Sequence, residues 1–460
     1  MIHQSLLTRA SLLAVFFSSA IGQRIEVPIT EFKLENGLNV ILHEDHSLPT
    51  VSVNVWYHVG SGREKPGRTG FAHLFEHILF EGSANVPEGM FDRWLEEAGA
   101  RNNGSTTEDR TNYFEDLPSN ALELALFLES DRMGYLLDVV TSDHVDGQRD
   151  VVKNERRQRI ENQPYGRIRI ILPELLYPKD HPYSWSVIGS MEDLSAATDE
   201  DVKEFFRDFY GPNNASLVVA GDIQTEKAKK LIEHWFSDVP RGREPPHVSL
   251  PEASLENEKR VFFQDRVQLP MIHMAWLSPP IFTEEDTKLD VLADILSDGK
   301  NSRLYKILVY EQEAAQTVSA YQSSNKYSSS FNIFALAKPG HTLDELEELI
   351  ITEVDRVKNI SITQRELERV VNQYEASFFR SIEMVGGFRG KADRLNSYYF
   401  FKGQADYFNE DLNRYRSVSI SDVTNSAKRF LPWDKRVVIS VVPENAPEMA
   451  AKNSTEIHPK

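Results

Sequence analysis

The 460-residue chain contains no cysteine. That absence removes disulfide frameworks, thiol nucleophiles, iron–sulfur clusters and Cys-ligated zinc together, so a tightly held metal must be bound by His and carboxylate. Positive charge is also scarce: 51 Lys and Arg stand against 70 Asp and Glu, a formal net charge of −19. Such a balance excludes a phosphate backbone as the main partner, and with it nucleic acid. No later stretch approaches the roughly 18 uninterrupted apolar residues of a bilayer span, so the mature chain is expected to have no transmembrane segment. What is present, 40% hydrophobic and 26% charged residues, is ordinary globular composition. The length allows roughly two to four domains. The 13 histidines become the residues to follow.

Residues 1–22 have the layout of a secretory signal peptide: a polar start with Arg9 and no acid, an apolar run from Ala10 through Phe17, then small residues. Ala20 and Gly22 form a small-x-small site that makes Gln23 the first mature residue, and Ser18 with Ala20 offers a second choice. A mitochondrial presequence also lacks acids, but a single Arg and a compact apolar block favour export to a periplasmic or extracellular location.

The chain is written twice. Residues 45–56 read DHSLPTVSVNVW and residues 265–276 read DRVQLPMIHMAW, each a Leu-Pro pair followed by an apolar strand ending in Trp. Ile78-Leu79 before Gly82 matches Ile295-Leu296 before Gly299, and Asp201-Val202, Phe209 and Leu217–Val219 parallel Asp422-Val423, Phe430 and Val437–Ile439. Between the copies runs a Pro- and Arg-rich stretch suited to an exposed linker. The expected organisation is therefore a signal peptide (1–22), an N-terminal domain (23–240), a linker (241–257), a C-terminal repeat domain (258–445) and a frayed polar tail (446–460). Strands at Leu38–His43, Val51–Tyr57 and Val437–Val442, with long amphipathic helices at Asn120–Leu137, Asp344–Val357 and Gln364–Arg380, predict an α+β fold. Each of the two tandem domains is expected to be a mostly antiparallel sheet with helices packed on one face.

Residues 73–77 read HLFEH. On a helix His73 and His77 lie about 40° apart, with Glu76 one step away on the same side. Two imidazoles and a carboxylate so placed suit a zinc site in which both His bind the metal and Glu76 takes a proton from the attacking water. The order inverts the commoner HExxH. The plainer alternative is a helix with hydrogen-bonded histidines, but three titratable groups amid Leu74, Phe75, Ile78 and Leu79 are costly to bury without a shared partner. A hydrolytic zinc wants a third protein ligand. Around residues 150–161, Val151 and Val152 are expected to mark the buried face, with Glu155 pointing the same way, Asp150 opposite and Glu161 sideways; Glu129 is a competitor on its own helix.

The sequence resembles the pitrilysin (insulinase) family of zinc metallopeptidases, the inverzincins, within the shorter branch that includes mitochondrial processing peptidase and bacterial secreted relatives. The resemblance covers most of the mature chain and rests on GFAHLFEHILFEGS at 70–83, NNGSTTEDRTNY at 102–113, RDVVKNE at 149–155 and the duplicated second half. It implies His73, His77 and Glu155 as ligands of one Zn²⁺ per chain, with Glu155 preferred to Glu129, and Glu76 as general base. It further implies a substrate-binding strand carrying Asn103, Gly104 and Ser105, on which an extended peptide adds a strand.

Aligned on the repeat, His73, Glu76 and His77 fall on Asp290, Ala293 and Asp294, so the second half is expected to be metal-free. The family's metal-free half provides an Arg and a Tyr near the substrate carbonyl; here Val309 and Gln316 stand at those positions, with Arg303, Tyr305 or Tyr310 as substitutes within the chain. Gln148 likewise replaces a family glutamate. The expectation is that a metal-free homologous subunit supplies the missing pair in a heterodimer, in preference to a homodimer, and that the pair hydrolyses peptides or unfolded segments. The alternative class is a structural or peptide-binding subunit of the same fold without turnover.

Overall fold

The computed structural model describes residues 24–459. The expected signal peptide lies outside the described residues. Strands β1 (Thr30–Lys33), β2 (Asn39–Glu44), β3 (Thr50–Tyr57), β4 (Arg101–Thr106), β5 (Thr111–Pro118) and β6 (Ala215–Gly221) build a six-stranded sheet in the order β1-β2-β6-β3-β5-β4. Strands β7 (Lys259–Asp265), β8 (Met271–Ser278), β9 (Ala315–Ser323), β10 (Ser329–Ala337), β11 (Val437–Pro443) and β12 (Thr455–Glu456) build a second in the order β12-β7-β11-β8-β10-β9. From β2 onward the second order repeats the first. Both sheets are mostly antiparallel, with the parallel pair β2·β6 matched by β7·β11.

The repeated sequence segments occupy equivalent elements. The two runs ending in Trp become β3 and β8. The helices Asp199–Phe209 and Ile420–Phe430 lead into β6 and β11, and each opens with a capping box, Thr198 with Asp201 and Ser419 with Asp422. Such a box satisfies two helix-end donors reciprocally, which is why the pattern survives in both copies. Residues 237–258 run between the halves without helix or strand.

Each half's own helices cover one face of its sheet, as expected for an α+β fold. The other face is also covered, by a helix from the opposite half. Strand alternation sends Val40, Leu42, Leu217 and Val219 into the first core and Ile41, Val218 and Ala220 to the far side. There they meet Ala392, Leu395 and Tyr398 of the helix Lys391–Lys402. Reciprocally, Phe263, Ala275 and Ile439 on the far side of the second sheet meet Ile168, Ile171 and Leu176 of the helix Ile168–Leu176. Both faces of the central strands are apolar, so both must be buried. Polar contacts fix the docking: Asn396 Nδ2 donates to the carbonyl and side chain of Asn54 at 2.9 and 2.7 Å, and Trp56 Nε1 to Asp393 at 3.0 Å. On the other side the Tyr165 hydroxyl donates to Leu269 O at 2.8 Å.

The expected frayed tail is corrected. β12 pairs in parallel with β7, Ile457 N–H donates to Phe262 O at 2.9 Å, and Ala451 is buried. The open edge of β7 offers unpaired backbone groups, and a polar segment of no marked pattern can satisfy them.

The Asp45–Lys391 ion pair joins the end of β2 to the start of the exchanged helix. The Lys391 hydrogen bond holds the Asp45 carboxyl well below the usual carboxylate range. A depressed folded pKa gives stability that is complete above the unfolded value near ~3.9 and drains away as pH falls through the folded one. Asp45→Asn is therefore expected to cost about 1 kcal/mol at neutral pH and to flatten the fall of the denaturation midpoint below about pH 4, measured as thermal unfolding against pH.

Candidate metal centre and its cleft

His73, Glu76 and His77 lie on the helix Phe71–Ile78, which has no side-chain cap at its N-terminus. Glu64 takes that place: its carboxylate accepts from Gly70 N–H at 3.0 Å, Ala72 N–H at 2.8 Å and Trp185 Nε1 at 3.1 Å. Burial pushes the Glu64 carboxyl up to about 8, against the pull of these donors. Gly70 has φ 91°, and a Cβ there would meet Ile188 O at 2.8 Å, so only glycine suits the entry to this helix. Nothing in the spacing of the HLFEH motif signals Glu64; an acid shortly before a helix start is the one available hint.

Glu155 stands at the end of the helix Ser142–Arg156, just before a π-helical turn, Arg157–Glu161. Its Oε2 lies 3.2 Å from His77 Nε2 and 3.7 Å from His73 Nε2. One ligand atom from each of the three side chains falls within 4.8 Å of the others, and among the described residues no other three such side chains converge in this way. Burial, then the charge of His77, lowers the His73 pKa to about 4. The His77 hydrogen bond lowers that of Glu155. Two imidazoles and one carboxylate facing a common point are a donor set that fits zinc. His73 Nδ1 is buried without a hydrogen-bond partner among the described residues, so the ring's polar contact is at the Nε2 side.

The other carboxylates considered from sequence lie elsewhere. Glu129 is buried against Arg132, whose Nε donates to it at 2.9 Å, and Glu161 accepts from Arg156 Nε at 2.9 Å. Asp150 is exposed. The expectation that Val151 marks the buried face is corrected: Val152 is fully buried and Val151 is 44% exposed. Successive helical residues are ~100° apart, so Val152, three before Glu155, carries the inward direction by itself.

Glu76 is not part of the three-atom cluster but lines the same cleft, where its Oε2 accepts from Thr106 Oγ1 at 2.6 Å. Burial raises its pKa. Thr106 ends β4, the edge strand that carries Asn103, Gly104 and Ser105. A Cβ on Gly104 would meet the Tyr113 ring at 3.2 Å and Glu76 Cγ at 3.3 Å, so glycine lets the strand pass close to Glu76. Gly104 and Ser105 line the cleft, while Asn103 Oδ1 accepts from Gly104 N–H at 2.8 Å.

The cleft encloses about 510 Å³ and has walls from both halves, with Tyr321, Ser323, Asn325, Ser330 and Asn332 contributed by the second. These residues went unnoticed in the sequence because no motif marks them. Val309, Gln316, Arg303, Tyr305 and Tyr310 do not line the cleft. Arg303 is held by Glu366 at 2.7 and 3.0 Å, Tyr310 is 75% exposed and Gln316 lies exposed on β9. Gln148 donates to Glu81. At the positions matching the cluster, Asp290 accepts from the Tyr415 hydroxyl at 2.7 Å, and Asp290, Ala293 and Asp294 form no metal-competent group.

Two repeated α+β halves, with a His, His, Glu cluster in the first, define a zinc-protease-like scaffold. The model for "Insulinase (Peptidase family M16)" matches residues 39–175, and that for "Peptidase M16 inactive domain" matches residues 196–374. The chain belongs to peptidase family M16, the insulinase family. It is 27% identical to a Helicobacter pylori protein named zinc protease PqqE, over 95% of this chain and 98% of that protein. It is 24% identical to the beta subunit of mitochondrial-processing peptidase from Lentinula edodes, covering 89% and 88% of the two chains. A crystal structure of a protease from Helicobacter pylori superposes with a TM-score of 0.83 at 25% identity, over 91% of this chain and all of that one. The periplasmic protease PqqL of Escherichia coli shares the fold at a TM-score of 0.76 and 18% identity, this chain spanning 49% of its length.

Removing the Glu64 acceptor leaves two buried amides at the start of the helix that carries His73 and His77 without a partner. Glu64→Ala is expected to cost about 2–4 kcal/mol in denaturant unfolding, and Glu64→Gln, which keeps one acceptor oxygen but turns an amide donor toward the other N–H, to recover only part of it.

Proposed function

We propose that the chain is an exported zinc metalloendopeptidase that hydrolyses peptides or unfolded segments, acting as the metal-bearing subunit of a dimer. The observation that carries this is the convergence of His73, His77 and Glu155 in one cleft with Glu76 and the β4 edge. His73, His77 and Glu155 would hold one Zn²⁺. When bound, the ion supplies electrophilic activation of a peptide carbonyl and of water. Glu76, held at one oxygen by Thr106, uses the other to receive the proton of the attacking water and then delivers it to the leaving amine. Asn103, Gly104 and Ser105 offer an edge to which an extended substrate adds by main-chain hydrogen bonds, while the cleft judges its side chains. The zinc-protease names of the relatives support the same chemistry.

A developing oxyanion needs further donors, and losing one typically costs about 100- to 1,000-fold. With Val309 and Gln316 in this chain, a metal-free homologous subunit supplies the Arg and Tyr in a heterodimer. Export to the periplasm or beyond follows from residues 1–22 and agrees with the periplasmic proteases among the structural neighbours. No described helix is long and apolar enough to cross a membrane.

The test assays the mature chain on a peptide mixture, by itself and with a metal-free relative encoded nearby. Glu76→Gln is expected to lower kcat by about 100- to 10,000-fold with zinc content unchanged. Unaltered turnover would sink the proposed chemistry, and full activity of the isolated chain would remove the need for a partner. Glu155→Ala is expected to lose the metal, measured as zinc per chain after dialysis.

A further inference from the structure

The chain is acidic overall, but its cleft also holds a guanidinium that no carboxylate engages. The carboxylates lining the cleft are Glu76, Glu108 and Glu155. Glu155 is engaged by the histidines and by Arg159 Nη1 at 2.7 Å, and Glu76 by Thr106. Burial raises the pKa of Glu108, which bonds its own backbone amide. The basic residues of the lining are Arg159 and Arg169. Arg159 is spent on Glu155. Arg169 makes no side-chain hydrogen bond or ion pair among the described residues; the neighbour that feels its charge is Tyr321, from the other half.

We propose that Arg169 is the anchor of a subsite for an acidic side chain, so that the enzyme selects peptides carrying Asp or Glu close to the bond it cuts. Arg169 sits in the helix Ile168–Leu176, which Ile168, Ile171 and Leu176 lock onto the second sheet, so the guanidinium starts from a rigid base. Leu172, Leu176 and Tyr177 line the same cleft, and Arg169 itself is exposed, so a pair with it is partly screened by solvent and modest in strength. A guanidinium meets a carboxylate through two parallel N–H bonds, a geometry that neutral or basic side chains cannot use. A Lys or Arg in the same place faces Arg169 with no acid assigned to receive it. The subsite rests on the reading of the cleft as a peptide site, but its test does not depend on turnover.

The experiment measures binding of three peptides, identical except for Glu, Gln or Lys at one position and scanned through the positions around the scissile bond, to the full chain carrying Glu76→Gln. The Glu peptide is expected to bind about 3- to 10-fold more tightly than the Gln peptide at one position, and the Lys peptide more weakly than either. Arg169→Ala in that background should level the three, and Arg169→Glu should reverse their order. Equal affinities, no binding of any peptide, or a preference that survives Arg169→Ala would overturn the subsite. Cleavage of the Gln peptide by the chain with Glu76 intact is scored separately. Failure there, with the binding preference present, counts against the peptidase and leaves the subsite standing.

Discussion

The structure depends on the exchange of one helix between its halves. Each sheet is apolar on both faces, and each closes its second face with a helix that the chain supplies from the other half. A buried side chain of the size of Leu395 or Ile171 contributes roughly 1.5–3 kcal/mol relative to exposure, so neither sheet could release its borrowed helix without exposing much of a core. The same exchange sets the cleft. The helix Ile168–Leu176, placed on the second sheet, forms a wall beside the zinc-type cluster of the first half. Asp109, in the turn after β4, accepts from the Lys326 amide at 2.8 Å and from the Tyr183 hydroxyl, tying the β4 edge to the second half as well.

Within that frame the irregular features gather at the helix that carries His73 and His77. It begins at a left-handed glycine, takes a distant carboxylate in place of a local cap, and faces a second helix that loosens into a π turn at Arg157, two residues beyond Glu155. Regular helix ends would satisfy their amides locally and leave the chain free to leave in any direction. Using Glu64 fixes the helix to the loop before it, and with it the place from which His73 and His77 face Glu155. Such irregularities are common at functional sites because the fold around them must hold what local preference would not.

The repeat was legible because strands and capping boxes preserve residue type at fixed spacing: the Leu-Pro run before Trp56 and before Trp276, and Asp201 and Asp422 three residues into their helices. The cluster was legible because helical spacing places His73 and His77 on one face. Other features were not. Alternating Val218 and Val219 say that both sheet faces are buried but not which helix covers the far one, since an apolar stripe carries no address. Val151 and Val152 look alike in sequence, and only the helical phase, set by contacts with the rest of the half, decides which turns inward. Glu64 and the second-half wall of Tyr321 and Asn332 act through loops and sheet packing, for which a chain read locally offers no pattern.

The two halves also differ in how they treat the polar groups at matching helix positions. In the second half the positions matching the cluster are absorbed into protein: Asp290 accepts from the Tyr415 hydroxyl at 2.7 Å, and its neighbour Asp286 receives Arg414 at 3.0 Å, Ser324 at 2.8 Å and Gln322 at 2.6 Å. Those acids, on the helix Glu284–Ser297, are met by side chains from neighbouring elements, although Thr287 Oγ1 on the same helix is buried without a partner among the described residues. In the first half His73 and His77 are aimed at one carboxylate, and His73 Nδ1 has no partner among the described residues. A buried polar atom left without a protein partner costs stability, typically about 1–3 kcal/mol, and both halves carry some: His73 Nδ1 in the first, Thr287 Oγ1 and Gln322 Oε1 in the second. What separates the copies is residue type at matching positions, His73, Glu76 and His77 against Asp290, Ala293 and Asp294, and only the first half brings three potential ligand side chains to one point among the described residues.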